Sequence, residues 1–201
     1  MSELGETRVS LLLRLKNADD QESWRQFFDS YWRFIYSVAL RSGLSEADAE
    51  DVVQETILGI VRSMGTFEYR PESCSFKGWL VHITKRRIID HHRKKARSQS
   101  LHARFTEEAS TATEDPSLNV DWDAEWERNL FEAALDRLRE KASPTHFQIF
   151  DLVAIKGVNS NEVARAFNVS TASVYLIKHR LARGLAKEAN ALRKASEAPV
   201  P

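Results

Sequence analysis

The sequence has a single cysteine, Cys74, so no disulfide can close within the chain and a cysteine-based zinc site would lack its usual ligand set. It also lacks net charge, because 29 Lys and Arg balance 29 Asp and Glu. Taken as an average, that balance argues against a polyanionic partner. Long apolar runs are missing too: the opening, MSELGETRVSLLLRLKNADD, holds only a three-leucine run between charged residues, too short for a signal-peptide core or a membrane span. The chain shows no P-loop, nucleophile motif or HExxH pattern, no compelling β-strand and no internal repeat. These absences lead us to expect a soluble, cytoplasmic protein without membrane insertion, enzymatic site, cofactor or metal.

What is present is segregated charge. Between Phe76 and Arg97 the chain carries Lys77, Lys85, Arg86, Arg87, Arg93, Lys94, Lys95 and Arg97 against Asp90 alone, a local net charge of +7. The stretch from Glu107 to Glu127 reverses the sign: it contains Glu107, Glu108, Glu114, Asp115, Asp121, Asp123, Glu125 and Glu127 and no Lys or Arg. A neutral whole thus conceals a basic segment suited to phosphates and an acidic one that is not.

Hydrophobic periodicity predicts helices throughout. From Glu22 to Ser42, Trp24, Phe27, Phe28, Tyr31, Ile35, Val38 and Ala39 recur at three- and four-residue steps, and Gly43 ends the run. Ser45 is an expected N-cap for a second helix with Asp48 in its first turn and a stripe of Val52, Val53, Ile57, Ile60 and Val61. TFEYRPESCS reads as a loop, after which Phe76 to about Lys94 is helical through Trp79, Leu80, Ile83 and Ile88. The composition of 98–120, rich in Ser, Thr, Ala and acids with Pro116, predicts a flexible acidic linker. Helical patterning returns from Trp122 and Trp126 through Leu138, and Ser143-Pro144 opens a further helix towards Gly157. The expected fold is all-α: a helical domain over 8–97, the linker, and a second helical domain over 121–192.

Within that second domain, SNEVARAFNVSTASVYLI (160–177) has helix-turn-helix spacing. Ala164 is small where two helices cross, Asn168 suits a left-handed turn, and Val163, Phe167, Val169, Val174 and Ile177 supply a shared core. Ser170 is placed to cap the second helix. In a DNA-reading helix the first turns meet base edges and flanking cations meet phosphates, which selects Ser170, Thr171, Ser173 and Tyr175, then Lys178, Arg180 and Arg183. A small bundle whose basic residues are merely solvated fits the same pattern.

The segment from Leu44 to Arg93 resembles the promoter-melting domain of bacterial RNA polymerase sigma factors. Asp51-Val52-Val53-Gln54-Glu55-Thr56 resembles the helix with which that family docks on core polymerase, which implies a polymerase-binding role for Asp48, Asp51, Gln54 and Glu55. Phe76-Lys77-Gly78-Trp79-Leu80, followed by Ile83, Asp90 and Arg93, resembles its DNA-melting helix, and the loop before it, Tyr69 to Ser75, corresponds to the loop that holds a flipped promoter base. The resemblance therefore implies contacts to the −10 element by Tyr69, Arg70, Ser73, Phe76, Lys77, Lys85, Arg86, Arg87 and Arg93, and to the −35 element by the helix-turn-helix. Arg86 departs from the family, which commonly carries Asn there. With no long middle domain, the chain looks like the compact extracytoplasmic-function group of the sigma-70 family. The resemblance implies core polymerase and promoter DNA as partners, with an anti-sigma protein as a further one, and association with the nucleoid when bound to polymerase.

Independent physical grounds agree. Aromatics beside a basic track are what capture of single-stranded nucleic acid requires. For Trp79, at helical spacing with Leu80 and Ile83, a core position is the stronger reading. A stand-alone helix-turn-helix regulator is the alternative function, though it needs neither the acidic nor the basic helix. A metal-dependent nuclease built on His82, Asp90, His91 and His92 is disfavoured: His82 and Asp90 are about two helical turns apart and cannot share one coordination shell. The histidines are expected to be exposed or to face phosphates.

Overall fold

The computed structural model describes residues 11, 14–17, 19–64, 75–103 and 120–197, with backbone only for 98–103. Among the described residues these α-helices follow one another: α1 (Gln21–Arg41), α2 (Glu46–Met64), α3 (Phe76–Ala103), α4 (Trp122–Lys141), α5 (Pro144–Phe150), α6 (Ser160–Ala166) and α7 (Thr171–Glu197). No β-strand occurs among the described residues, and no described helix is long and apolar enough to cross a membrane. Contacts divide the chain into two units, Met1–Asn129 with Ala195–Pro201, and Leu130–Lys194.

In the first unit α1 packs on α2 and α2 on α3. Asp20 starts α1 by accepting hydrogen bonds from the Ser23 amide at 3.1 Å and its hydroxyl at 2.8 Å. Phe27, Tyr31, Phe34, Ile35 and Val38 then point inward. Phe28, expected in that stripe, is 41% exposed. It begins a second row instead, stacking on Trp32, which in turn lies against Tyr36. Residues four apart share a face, so Phe28, Trp32 and Tyr36 line up beside the core row rather than within it. Gly43 closes the helix at φ 82°, a left-handed conformation that costs glycine little. Ser45 caps α2, accepting from the Asp48 amide at 3.2 Å, and Val52, Val53 and Ile60 bury that helix against the others.

α3 buries Phe76, Leu80, Thr84 and Ile88 at successive four-residue steps. It continues through residues 98–103, which the composition alone had joined to the linker. The remaining linker residues, 104–119, lie outside the described residues. Asp121 caps α4 through the Ala124 amide at 3.0 Å, and the first turns of α4, up to Asn129, belong to the first unit.

In the second unit Ser143 caps α5 with Pro144 at its first position, and the chain widens into a π-helical turn over Asp151–Ile155 before Gly157 reverses it at φ 72°. Asn159 caps α6. Between α6 and α7 Asn168 takes φ 52°, and the Val169 amide bonds back to the Ala164 carbonyl at 3.0 Å. Val163, Ala164, Val174 and Ile177 close the space between the two helices. The end of α4 packs on α7, where a side chain at Gly184 would meet Leu138.

Candidate polymerase and nucleic-acid interfaces

On α2, Asp51, Gln54 and Glu55 are all exposed, and Leu58, 51% exposed, extends the same face by one turn. Residues at i, i+3, i+4 and i+7 lie side by side, so this is a continuous acidic strip with an apolar end. Asp48 is different. Its carboxylate accepts from Lys95 Nζ at 2.7 Å and pairs with His91 Nε2 at 3.1 Å, both on α3. Those contacts, Lys95 first and then Ser45 and His91, hold its pKa well below the usual carboxylate range. Asp48 fastens α3 to α2.

On α3, Arg86 and Arg93 are exposed seven residues apart on the face opposite the buried row, with Lys94 beside them. Seven residues rise about 10 Å along a helix, a spacing that lets successive cations meet different phosphates. Arg87 lies instead across α2 at Gly59, where an added Cβ would stand 2.7 Å from its guanidinium. Lys85 is half-buried. Lys77 pairs with Asp123 at 2.6 Å, and this partner lowers the pKa of Asp123. Phe76 is 2% exposed, ringed by Phe27, Tyr31, Trp79 and Trp126. Tyr69, Arg70 and Ser73 lie outside the described residues. Trp79 is half-buried against Phe76.

His82 is exposed, as expected, but the other two histidines differ from expectation. His91 binds Asp48, and a ring nitrogen of His92 lies 3.0 Å from the Ser42 carbonyl, so both tie α3 to the α1–α2 corner and neither faces solvent freely. No cluster of three metal-ligating side chains exists among the described residues.

On α7, Ser170 accepts from the Ser173 amide at 3.1 Å, and the two hydroxyls are 2.8 Å apart. Thr171 donates to Asn161 of α6 at 3.1 Å. Tyr175 is 58% exposed and Arg183 is exposed, while Lys178 is half-buried. Arg180 is exposed and donates to Nδ1 of His146 at 2.8 Å, which leaves the proton of a neutral His146 on Nε2. Sequence reasoning missed Leu176, at 71% the most exposed large apolar residue among the described residues. Its signal was its register: it sits between Val174 and Ile177, off the buried stripe.

The first unit thus carries an acidic strip and a cationic stripe on neighbouring helices, and the second a capped helix pair. The family of sigma-70 region 2 matches residues 27–98. Among relatives, the ECF RNA polymerase sigma factor SigX of Bacillus subtilis is 28% identical over 181 residues, covering 87% of each chain. The ECF RNA polymerase sigma factor BldN of Streptomyces coelicolor is 25% identical over 182 residues, 90% of this chain and 65% of that one. SigE of Mycolicibacterium smegmatis, of the same description, is 28% identical over 160 residues, 79% of this chain. The chain thus spans 65% and 58% of the lengths of BldN and SigE. A solved structure of an RsbN–BldN complex matches 88% of this chain and 97% of its own at 20% identity, with a TM-score of 0.36. Residues 27–98 thus match sigma-70 region 2, and the chain as a whole is similar to extracytoplasmic-function sigma factors.

Proposed function

We propose that this protein is a sigma factor: a cytoplasmic adaptor without a catalytic site, which brings core RNA polymerase to promoters and opens them. The observation that carries the reading is the pairing, within one unit, of the exposed Asp51–Gln54–Glu55 strip on α2 with the exposed Arg86 and Arg93 stripe on α3. The first suits a basic protein surface and the second a phosphate backbone. The α2 strip docks on polymerase, and α3 with its preceding loop engages the −10 strand.

The second unit reads the −35 element. Tyr175 and Leu176 supply apolar contacts of the kind a thymine methyl accepts, and Arg180 and Arg183 reach phosphates. The acidic linker occupies the polymerase channel before RNA fills it. Similarity to this group implies an anti-sigma protein or another control as its regulation.

The test is reconstitution. Purified protein is mixed with bacterial core polymerase, the complex is isolated, and transcription is scored on a library of randomised promoter-like fragments. Selective initiation supports the reading. Absence of a complex together with tight duplex binding by the protein alone would identify a stand-alone regulator.

A further inference from the structure

The two tryptophans that open α4 were read from the sequence as the start of the second domain's core. Instead Trp126, 1% exposed, lies in the first unit, stacked on Tyr31 at 6.1 Å, edge-on to Phe34 at 5.1 Å and tilted against Phe76 at 6.2 Å. Trp122 meets Phe34 edge-on at 6.3 Å. Polar contacts frame this seam. Glu125, 4% exposed, pairs with Arg41 and accepts from Ser37, while Asn129 donates to the Ser30 carbonyl at 3.2 Å. Trp122, Glu125, Trp126 and Asn129 stand at i, i+3, i+4 and i+7, the anchor pattern of a helix laid into a groove.

What this segment covers matters for the function. Trp126 meets Phe76 at a 53° tilt, and Asp123 holds Lys77 at 2.6 Å, so two side chains at the leading end of α3 are occupied. The occupants are an aromatic plane and an anion. A nucleotide offers the same two groups, a stacking base and a phosphate. Segment and single strand therefore ask for the same pair of side chains.

We infer that residues 122–129 are a latch, docked within the free protein on the leading end of α3, which must leave before Phe76 and Lys77 engage single-stranded DNA. The inference rests on the reading of α3 as a strand-capturing helix. Linkage makes it reciprocal: the latch weakens strand binding, and strand binding loosens the latch by the same factor.

The test uses the full chain, a fluorescein-labelled single-stranded deoxyoligonucleotide of mixed sequence, and two substitutions that leave charge unchanged, Trp126→Ala and Trp122→Ala. Hydrogen exchange of the 122–129 amides reads the latch, and fluorescence anisotropy reads binding. Release should speed exchange, tighten binding about 10-fold, within the usual range of coupling between sites, and steepen the salt slope by about 0.7 as Lys77 gains a phosphate. Saturating oligonucleotide should speed exchange of the same amides in the unmodified protein. If Trp126→Ala loses its helical circular dichroism, the half-buried Trp122 decides, with the oligonucleotide effect on the unmodified protein beside it. Faster exchange with unchanged or weaker binding would overturn the latch, as would amides indifferent to bound oligonucleotide. Failure of promoter-selective transcription with these binding results intact would sink the sigma reading and leave the latch standing.

Discussion

Asp48 and Lys95 meet at 2.7 Å across 47 positions of chain, joining the first turn of α2 to the far half of α3. One carboxylate in the acidic helix is thereby turned inward, and its neighbours Asp51 and Glu55 are left facing out. Asp48→Asn should lower the urea midpoint of unfolding at neutral pH. Because folding depresses this carboxyl from an ordinary pKa of 3.8, its contribution is complete above that value and fades as pH falls below it. The gap between the two midpoints should therefore hold from neutral pH to about pH 4 and narrow progressively below it. A constant gap would show that Asp48 acts through shape rather than charge.

Glu55→Arg should behave in the opposite way. Its exposed position predicts a stability change within about 0.5 kcal/mol. Complex formation with core polymerase, measured by surface plasmon resonance, should weaken by about 10-fold, since reversing an interface charge costs on the order of 1 kcal/mol or more.

Thr56 is fully buried in α2, and its hydroxyl finds no hydrogen-bond partner among the described residues. Thr56→Val keeps the shape and removes the stranded polar atom. Thermal and chemical unfolding should show a gain of about 1 kcal/mol. A loss would mean that the hydroxyl is satisfied in solution.

Asn168, at φ 52°, holds the turn between α6 and α7. A β-branched side chain is strained there, so Asn168→Val should cost about 2 kcal/mol, whereas Asn168→Gly should be close to neutral. Loss of duplex binding should accompany the first substitution and not the second, with circular dichroism and anisotropy as the two readouts.

Replacing Arg180 and Arg183 together with Ala should weaken promoter binding at every sequence and flatten the log–log salt dependence by about 1.8, one contact's worth for each residue. Leu176→Ala should leave that slope alone and alter base preference within the −35 element. An unchanged slope in the double variant would place both arginines away from phosphate.

Much of this was legible in the sequence because it is local. The first helix was expected over Glu22 to Ser42 and spans Gln21–Arg41; Ser45, Ser143 and Ser170 each accept the amide they were expected to cap. Asn168 adopts the left-handed conformation expected of it. Periodicity, caps and turn residues act over a few positions, so a single chain displays them. Tyr69, Arg70, Ser73 and the linker acids at 107–115 lie outside the described residues.

Other features depended on which distant surfaces meet. Trp126 carries the same helical spacing whichever core receives it; only packing sets it on Tyr31 and Phe34. Asp48 and Asp51 differ by three positions, yet a helical turn sends one towards Lys95 and the other towards solvent. Arg86 and Arg87 are adjacent, and the 100° between them sends Arg86 to solvent and lays Arg87 over Gly59. Sequence by itself determined the helices, most of their ends and the sign of charge each one carries. Tertiary structure decided which of those charges are spent inside the protein and which remain for a partner, because Coulombic pairing acts through space and the chain's order does not record who stands opposite whom.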